Sequence, residues 1–110
     1  SDAGVEGAFR FLKRFWRFCI QHLEEGKFDA SIPAQLNEAQ KQMRRKIHET
    51  LSKVTDDMAR RYTFNTAIAA VMELLNELNT FVIHSAEDRA IRHEGVRLMI
   101  LMMAPIVPHI

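Results

Sequence analysis

The stretch RRYTFNTAIAAVMELLNEL, residues 60–78, limits what this chain can fold into more than any other. Phe64, Ala67, Ile68, Val71, Leu74, Leu75 and Leu78, followed by Phe81 and Val82, recur at the three- and four-residue spacing of one helix face. Ala69, Ala70 and Met72 widen that face most of the way round. A helix with so broad an apolar surface belongs at the centre of a bundle, with the other elements packed on it. Thr63 or Asn65 is placed to cap its start by accepting a hydrogen bond from a free first-turn amide, and the pattern closes near His84.

Two further apolar patterns precede this helix. Asp2 can cap a first helix that runs from about Ala3 to Glu25, with Gly26 as its stop. Val5, Ala8, Phe9, Leu12, Trp16, Cys19 and Leu23 form one seam, and Phe11, Phe15 and Phe18 form a second beside it. Two seams call for two neighbours. Gly7 lies within the pattern at a cost of about 1 kcal/mol against alanine, which suggests close approach of another backbone. After a short loop from Lys27 to Ser31, Pro33 suits a first helical position, and a second helix is expected to reach about Tyr62. Its seam is Leu36, Met43, Ile47, Leu51, Val54, Met58 and Tyr62, with Gln40 at the intervening position of the longer first step. Asp56 and Asp57 sit near its C-terminus, where negative charge needs a partner; Arg60 and Arg61 are close enough to supply one.

A last helix is expected from Ser85, with Asp88 in place of the usual Glu or Gln of a capping box, to about Ala104. Ile91, Leu98, Met99, Leu101 and Met102 supply its apolar side, and Pro105 and Pro108 end it. No strand alternation, internal repeat or low-complexity tract is present. The expected fold is all-α, an up-down bundle of about four helices forming a single domain over residues 1–110.

Composition excludes several functional classes. At 47% hydrophobic and 26% charged residues the chain has the make-up of a soluble globular domain, and no apolar run approaches the roughly 20 residues that cross a bilayer. No membrane partner is expected. Cys19, the single cysteine, cannot form an internal disulfide, so a reduced cytoplasmic setting fits. Cys19 and His22 lie one turn apart, but no second ligand pair accompanies them and no metal site is expected. The adjacent Asp56 and Asp57 diverge by about 100° on a helix and cannot act as a facing carboxylate pair. Phosphate loops, nucleophile elbows and redox pairs are absent, so catalytic residues are not expected.

Charge is unevenly shared. Residues 1–61 carry 12 Lys and Arg against 9 Asp and Glu, whereas residues 62–110 carry 3 against 5, within a formal net charge of +1. Arg10, Lys13, Arg14 and Arg17 follow one another at three- or four-residue spacing on the first helix, and Lys41, Arg44 and Arg45 stand on the outer side of the second. Such rows suit a polyanion, or else a solvated face with counter-charges on another helix.

Three stretches together resemble the leucyl-tRNA synthetase family in its bacterial form: SDAGVEGAFRFLKRFW at 1–16, HETLSKVTDDMARRYTFNTAIAAVMELLNEL at 48–78, and LMMAPIVPHI at 101–110. The resemblance implies the helical anticodon-binding-type domain that follows the catalytic domain, excised from a larger chain. Related valyl, isoleucyl and methionyl synthetases have a similar domain, and a non-catalytic helical protein-interaction module with a Met-rich fourth helix is the alternative from another class. The family implies a parent ligase that joins leucine to tRNA(Leu) with ATP and magnesium. The signatures for adenylate formation are missing here, so this segment should be inactive. Its implied partners are tRNA(Leu) and the catalytic domain of its own chain, and a monomer is expected. Arg10, Lys13, Arg14, Arg17, Lys41, Arg44 and Arg45 are the candidates for tRNA contact, chiefly to the sugar-phosphate backbone.

Overall fold

The computed structural model describes residues 2–27, 31–61 and 63–110. The described residues form an all-α bundle of α1 (Asp2–Glu24), α2 (Glu38–Asp56), α3 (Phe64–Thr80) and α4 (Ala86–Met103). A π-helical turn, Asp57–Arg61, follows α2, and a 3-10 turn, Val107–His109, follows α4. Tyr62, Phe28, Asp29 and Ala30, and the side chains of Asp2 and Arg61, lie outside the described residues.

The core is built mainly by α2, α3 and α4, with α2 packed extensively on both of the others. Ala67, Val71, Leu74, Leu75 and Leu78 of α3 are buried, as the apolar band requires, whereas Ala69 is exposed and Met72 half-buried. Ile47 of α2 and Ile91 and Met99 of α4 meet them in the interior. Ile106, beyond the Pro105 stop, is fully buried, and His109 stacks on Phe64 with ring centroids 4.0 Å apart. The closing segment thus returns to the start of α3.

Helix boundaries depart from the apolar patterns where local hydrogen bonding decides them. α2 starts at Glu38, five residues after Pro33, because Asn37 and Gln40 form a reciprocal capping box: the Asn37 side chain accepts from Gln40 N and Gln40 Oε1 accepts from Asn37 N. Its α-helical part ends at Asp56 and gives way to the π turn. α3 stops at Thr80 rather than near His84; Phe81 is extended, at φ −67° and ψ 118°. The β-branched Val82 and Ile83 that follow gain little from continuing a helix. Of the two expected caps for α3, Thr63 stands at the N-cap position, but its side chain makes no capping hydrogen bond. Thr66 instead donates to Thr63 O and to the buried carboxylate of Asp57, 2.7 Å away, while Lys53 Nζ reaches the same Asp57 oxygen at 3.1 Å. Asp56 pairs with Arg60 at 3.4 Å. At α4 the Ser85 hydroxyl accepts from Asp88 N, and the Asp88 carboxylate accepts from His84 N and from the buried Gln40 amide, 2.8 Å away. One carboxylate therefore caps α4 and fastens it to the start of α2.

The two seams of α1 have opposite fates. Phe11 and Phe15 are buried and Phe18 packs against the core, but Val5, Phe9, Trp16 and Leu23 are 50%, 54%, 67% and 56% exposed. Of the expected first seam only Cys19 is buried. Gly26, at φ 93°, takes the left-handed conformation that ends the helix region.

The backbone approach expected at Gly7 does not occur; the crowded glycine is Gly95, and side-chain methyls crowd it. A Cβ at Gly95 would stand 2.7 Å from Leu78 Cδ2 and 3.1 Å from Ile47 Cδ1, whereas one at Gly7 would meet only the Arg10 guanidinium at 3.7 Å. The same substitution should therefore have opposite signs. Gly7→Ala is expected to stabilise the chain by about 0.5–1 kcal/mol through helix propensity. Gly95→Ala forces buried methyl groups apart, an overpacking cost of about 1–3 kcal/mol, and should lower stability despite the same propensity gain. Urea unfolding of the two variants checks the signs.

Candidate nucleic-acid interface

The angular step of about 100° per residue divides α1 into three strips. Phe11, Phe15, Phe18 and His22 face the bundle; Val5, Phe9, Trp16 and Leu23 form an exposed apolar strip; Arg10, Lys13, Arg14 and Arg17 form an exposed basic one. Arg14 Nη2 donates to Asn76 Oδ1 of α3 at 2.6 Å, so the basic strip leans toward α3. No carboxylate pairs with Arg10, Lys13 or Arg17 among the described residues.

The candidates on α2 separate into two kinds. Lys41 and Arg45 are exposed, but Arg44 holds both oxygens of Glu94 on α4, Nε to Oε1 at 2.8 Å and Nη2 to Oε2 at 3.1 Å. His48 joins the same carboxylate at 3.0 Å. Burial would raise the Glu94 carboxyl, but the hydrogen bonds from Arg44 and His48 outweigh it and hold it below the usual carboxylate range. Arg44 thus ties α2 to α4. Lys46 and Lys53 are paired with Glu73 and Asp57.

Between α1 and α3 lies an open groove of about 180 Å³, lined by Arg14, Arg17, Phe18, Gln21, Leu75 and Asn79. Its amides carry no charge and were invisible to a reading by basic residues; Asn76 and Asn79, three apart on the side of α3 away from its apolar band, are the available signal. A second groove, between α2 and α3, mixes Lys46 and Lys53 with Glu49 and Glu73. A third, lined by Leu51, Val54, Met58, Leu101, Met102 and Pro105 among others, is apolar.

The end of α1 is held by a polar cluster on α4. Arg92 Nε donates to His22 Nδ1 at 3.0 Å, and because a guanidinium only donates, Nδ1 must be the unprotonated nitrogen. Nε2 then carries the hydrogen and donates to His93 Nδ1 at 2.9 Å. Glu25 accepts from Arg92 and pairs with Arg89 Nε at 3.3 Å, while Arg89 also donates to Gly26 O. Both His22 nitrogens are engaged within the protein. Cys19, one turn earlier, is buried and its thiol is pushed up to about 11 by that burial, which leaves it protonated and unreactive at neutral pH. No group of three metal-ligating side chains occurs among the described residues, and none of their helices is long and apolar enough to cross a membrane.

Burial, followed by the charges of Arg92 and His93, lowers the His22 pKa to about 4, against opposition from Glu25. The fold therefore favours neutral His22. Below about pH 6.5 the unfolded chain takes a proton that the folded chain refuses, so stability present at neutral pH drains away as pH falls toward 4, by up to about 3 kcal/mol. Asp88 and Glu94, both held below the ordinary carboxylate range, add their own loss at the acid end of that window and beyond it, as their unfolded forms begin to take protons. Urea midpoints are expected to fall between pH 6.5 and 4, and His22→Asn, whose amide oxygen can still accept from Arg92, should flatten that fall.

Residues 40–110, about two thirds of the chain, match the family described as the anticodon-binding domain of tRNA ligase. Across all 110 residues the chain is 56% identical to the leucine-tRNA ligase of Marinobacter nauticus and 54% identical to that of Thioalkalivibrio sulfidiphilus. It is 50% identical over the same length to the leucine-tRNA ligase of Acinetobacter baylyi. The chain spans only 13–14% of the length of these curated relatives. With its four-helix architecture, its exposed basic strip and this match, the chain belongs to the anticodon-binding domain family of tRNA ligases.

Proposed function

We propose that residues 1–110 are one domain of a longer leucine-tRNA ligase, and that the domain holds tRNA(Leu) through its phosphates. The observation that carries this reading is the 50–56% identity to leucine-tRNA ligases across the full length of the chain. The parent enzyme joins leucine to its tRNA with ATP and magnesium in the cytoplasm, as a monomer, and this domain contributes no catalytic group. Arg10, Lys13, Arg14 and Arg17 are the principal tRNA contacts, with Lys41 and Arg45 as a separate outlying pair. Arg44 serves mainly to fix α2 against α4, since its guanidinium is committed to Glu94.

The apolar strip of α1 takes the other role, docking on the catalytic domain of the same chain. Four large side chains, each at least half exposed on one helix face, make a contiguous patch of the kind that marks a protein contact. Its aliphatic members, Val5 and Leu23, offer nothing to a nucleic acid. Alone in solution, the domain is expected to bind an apolar-surface dye, and Phe9→Glu with Trp16→Glu should abolish most of the signal. A patch-free response would count against docking.

For the RNA reading the measurement is tRNA binding by the full-length enzyme across a salt series. Arg10→Gln and Arg17→Gln are each expected to weaken binding several-fold and to flatten the log-log salt slope by about one, because fewer counterions are released. Leucine activation without tRNA should stay unchanged. Loss of activation as well would assign these residues to domain docking, and an unaltered slope would leave them as a solvated face.

A further inference from the structure

We propose that the groove between α1 and α3 seats a single unpaired nucleotide of the bound RNA, with its phosphate on Arg14 and Arg17 and its base against Phe18, Gln21 and Asn79. This rests on the tRNA-binding reading above and adds to it a site that contacts a base.

The chemistry changes along the groove. Arg14 is held across it by the 2.6 Å bond to Asn76, which uses one of five guanidinium hydrogens and orients the others. Arg17, exposed on the same wall, has no carboxylate partner among the described residues. Phosphate oxygens accept only, so two arginines are what a phosphate requires. One turn beyond Arg17 the cations stop. Gln21 and Asn79 are exposed there, and each amide both donates and accepts. A phosphate has no use for an acceptor, whereas the edge of a base presents both kinds of group.

Phe18 lies between the two ends, half-buried and packed against the core, so its ring is fixed while part of it faces the groove. Aromatic rings held this way are stacking platforms for unpaired bases. From Arg14 to Gln21 the groove follows two helical turns, about 10 Å, and none of its six lining residues is acidic. A row of cations alone would track a duplex backbone. Cations that give way to a ring and two neutral amides suit a nucleotide whose base is turned out, since base edges in an RNA duplex are poorly accessible to side chains. The other two grooves lack this gradient, one being balanced by Glu49 and Glu73 and the other apolar.

The test uses the full-length enzyme with its tRNA. Gln21→Ala and Asn79→Ala alter exposed side chains, and Phe18→Leu keeps apolar bulk while removing the ring. Each is expected to weaken tRNA binding about five- to tenfold with an unchanged salt slope, in contrast to Arg17→Gln. A benzophenone side chain introduced at position 21 should crosslink to one unpaired nucleotide. If Arg17→Gln flattens the slope while all three groove variants bind normally, the nucleotide seat is wrong and the phosphate-contact reading stands. Crosslinks spread over paired stem positions overturn the seat in the same way, and crosslinks to polypeptide alone assign the groove to a protein segment. If neither Arg10→Gln nor Arg17→Gln changes the slope, the RNA reading itself fails.

Discussion

At Gly95 the bundle has room for a hydrogen and little else, since a Cβ there would stand 2.7 Å from Leu78 and 3.1 Å from Ile47. Those two residues belong to α3 and α2, so side chains of both helices close on α4 at this one position. Leu78 and Ile47 are buried to 1% and 0% exposure, which leaves their methyl groups no solvent to move into. Close-packed interiors transmit such constraints rather than absorb them. The capping carboxylate of Asp88, bonded to Gln40, then fixes the starts of α2 and α4 to one another, and buried Asp57 joins the end of α2 to the start of α3. The three-helix core is thus set by one close apolar contact and two buried, hydrogen-bonded acids.

α1 stands outside that arrangement. Its aromatic face reaches the core through Phe11, Phe15 and Phe18, and its C-terminal end is fastened to α4 by His22, Glu25, Arg89 and Arg92. A helix attached on one side only keeps its remaining surface for other uses. Here the remainder is divided lengthwise, apolar residues on one strip and cations on the next, so a protein surface and an RNA backbone can be met side by side. Arginine and lysine next to an apolar strip also keep the basic face at a fixed angle to it, about a quarter to a half turn away round the helix.

The fold class and the central helix were legible because apolar spacing reports burial directly, as Val71, Leu74 and Leu78 illustrate. The choice between the two seams of α1 was not, since spacing says that a face is apolar without saying what covers it. Phe9 and Phe11 differ by two positions, yet one is 54% exposed and the other 2%. Helix ends were missed where short-range polar bonds decide them. Pro33 is a permissible first residue, but the Asn37–Gln40 box satisfies two free amides at once and wins. The candidate site was legible only as charge. Gln21, Asn76 and Asn79 become visible as a group once two helices lie side by side, because no pattern within either helix announces the other.

Charge in a sequence does not distinguish a cation that binds from one that builds. Arg44 and Arg45 are neighbours of the same type, yet Arg44 is spent on Glu94 while Arg45 has no carboxylate partner among the described residues. Lys46 and Lys53 are paired too, with Glu73 and Asp57. A paired cation already has its counter-charge and would release few condensed ions from a nucleic acid, whereas Arg10, Lys13 and Arg17 have no carboxylate partner among the described residues and keep their charge uncommitted. The electrostatic part of binding should therefore come from α1 far more than from α2, although α2 carries Lys41, Arg44, Arg45, Lys46 and Lys53. Partial burial sharpens the division, because Glu94, if it released Arg44, would keep only His48 as a partner for a carboxylate that is largely withdrawn from water.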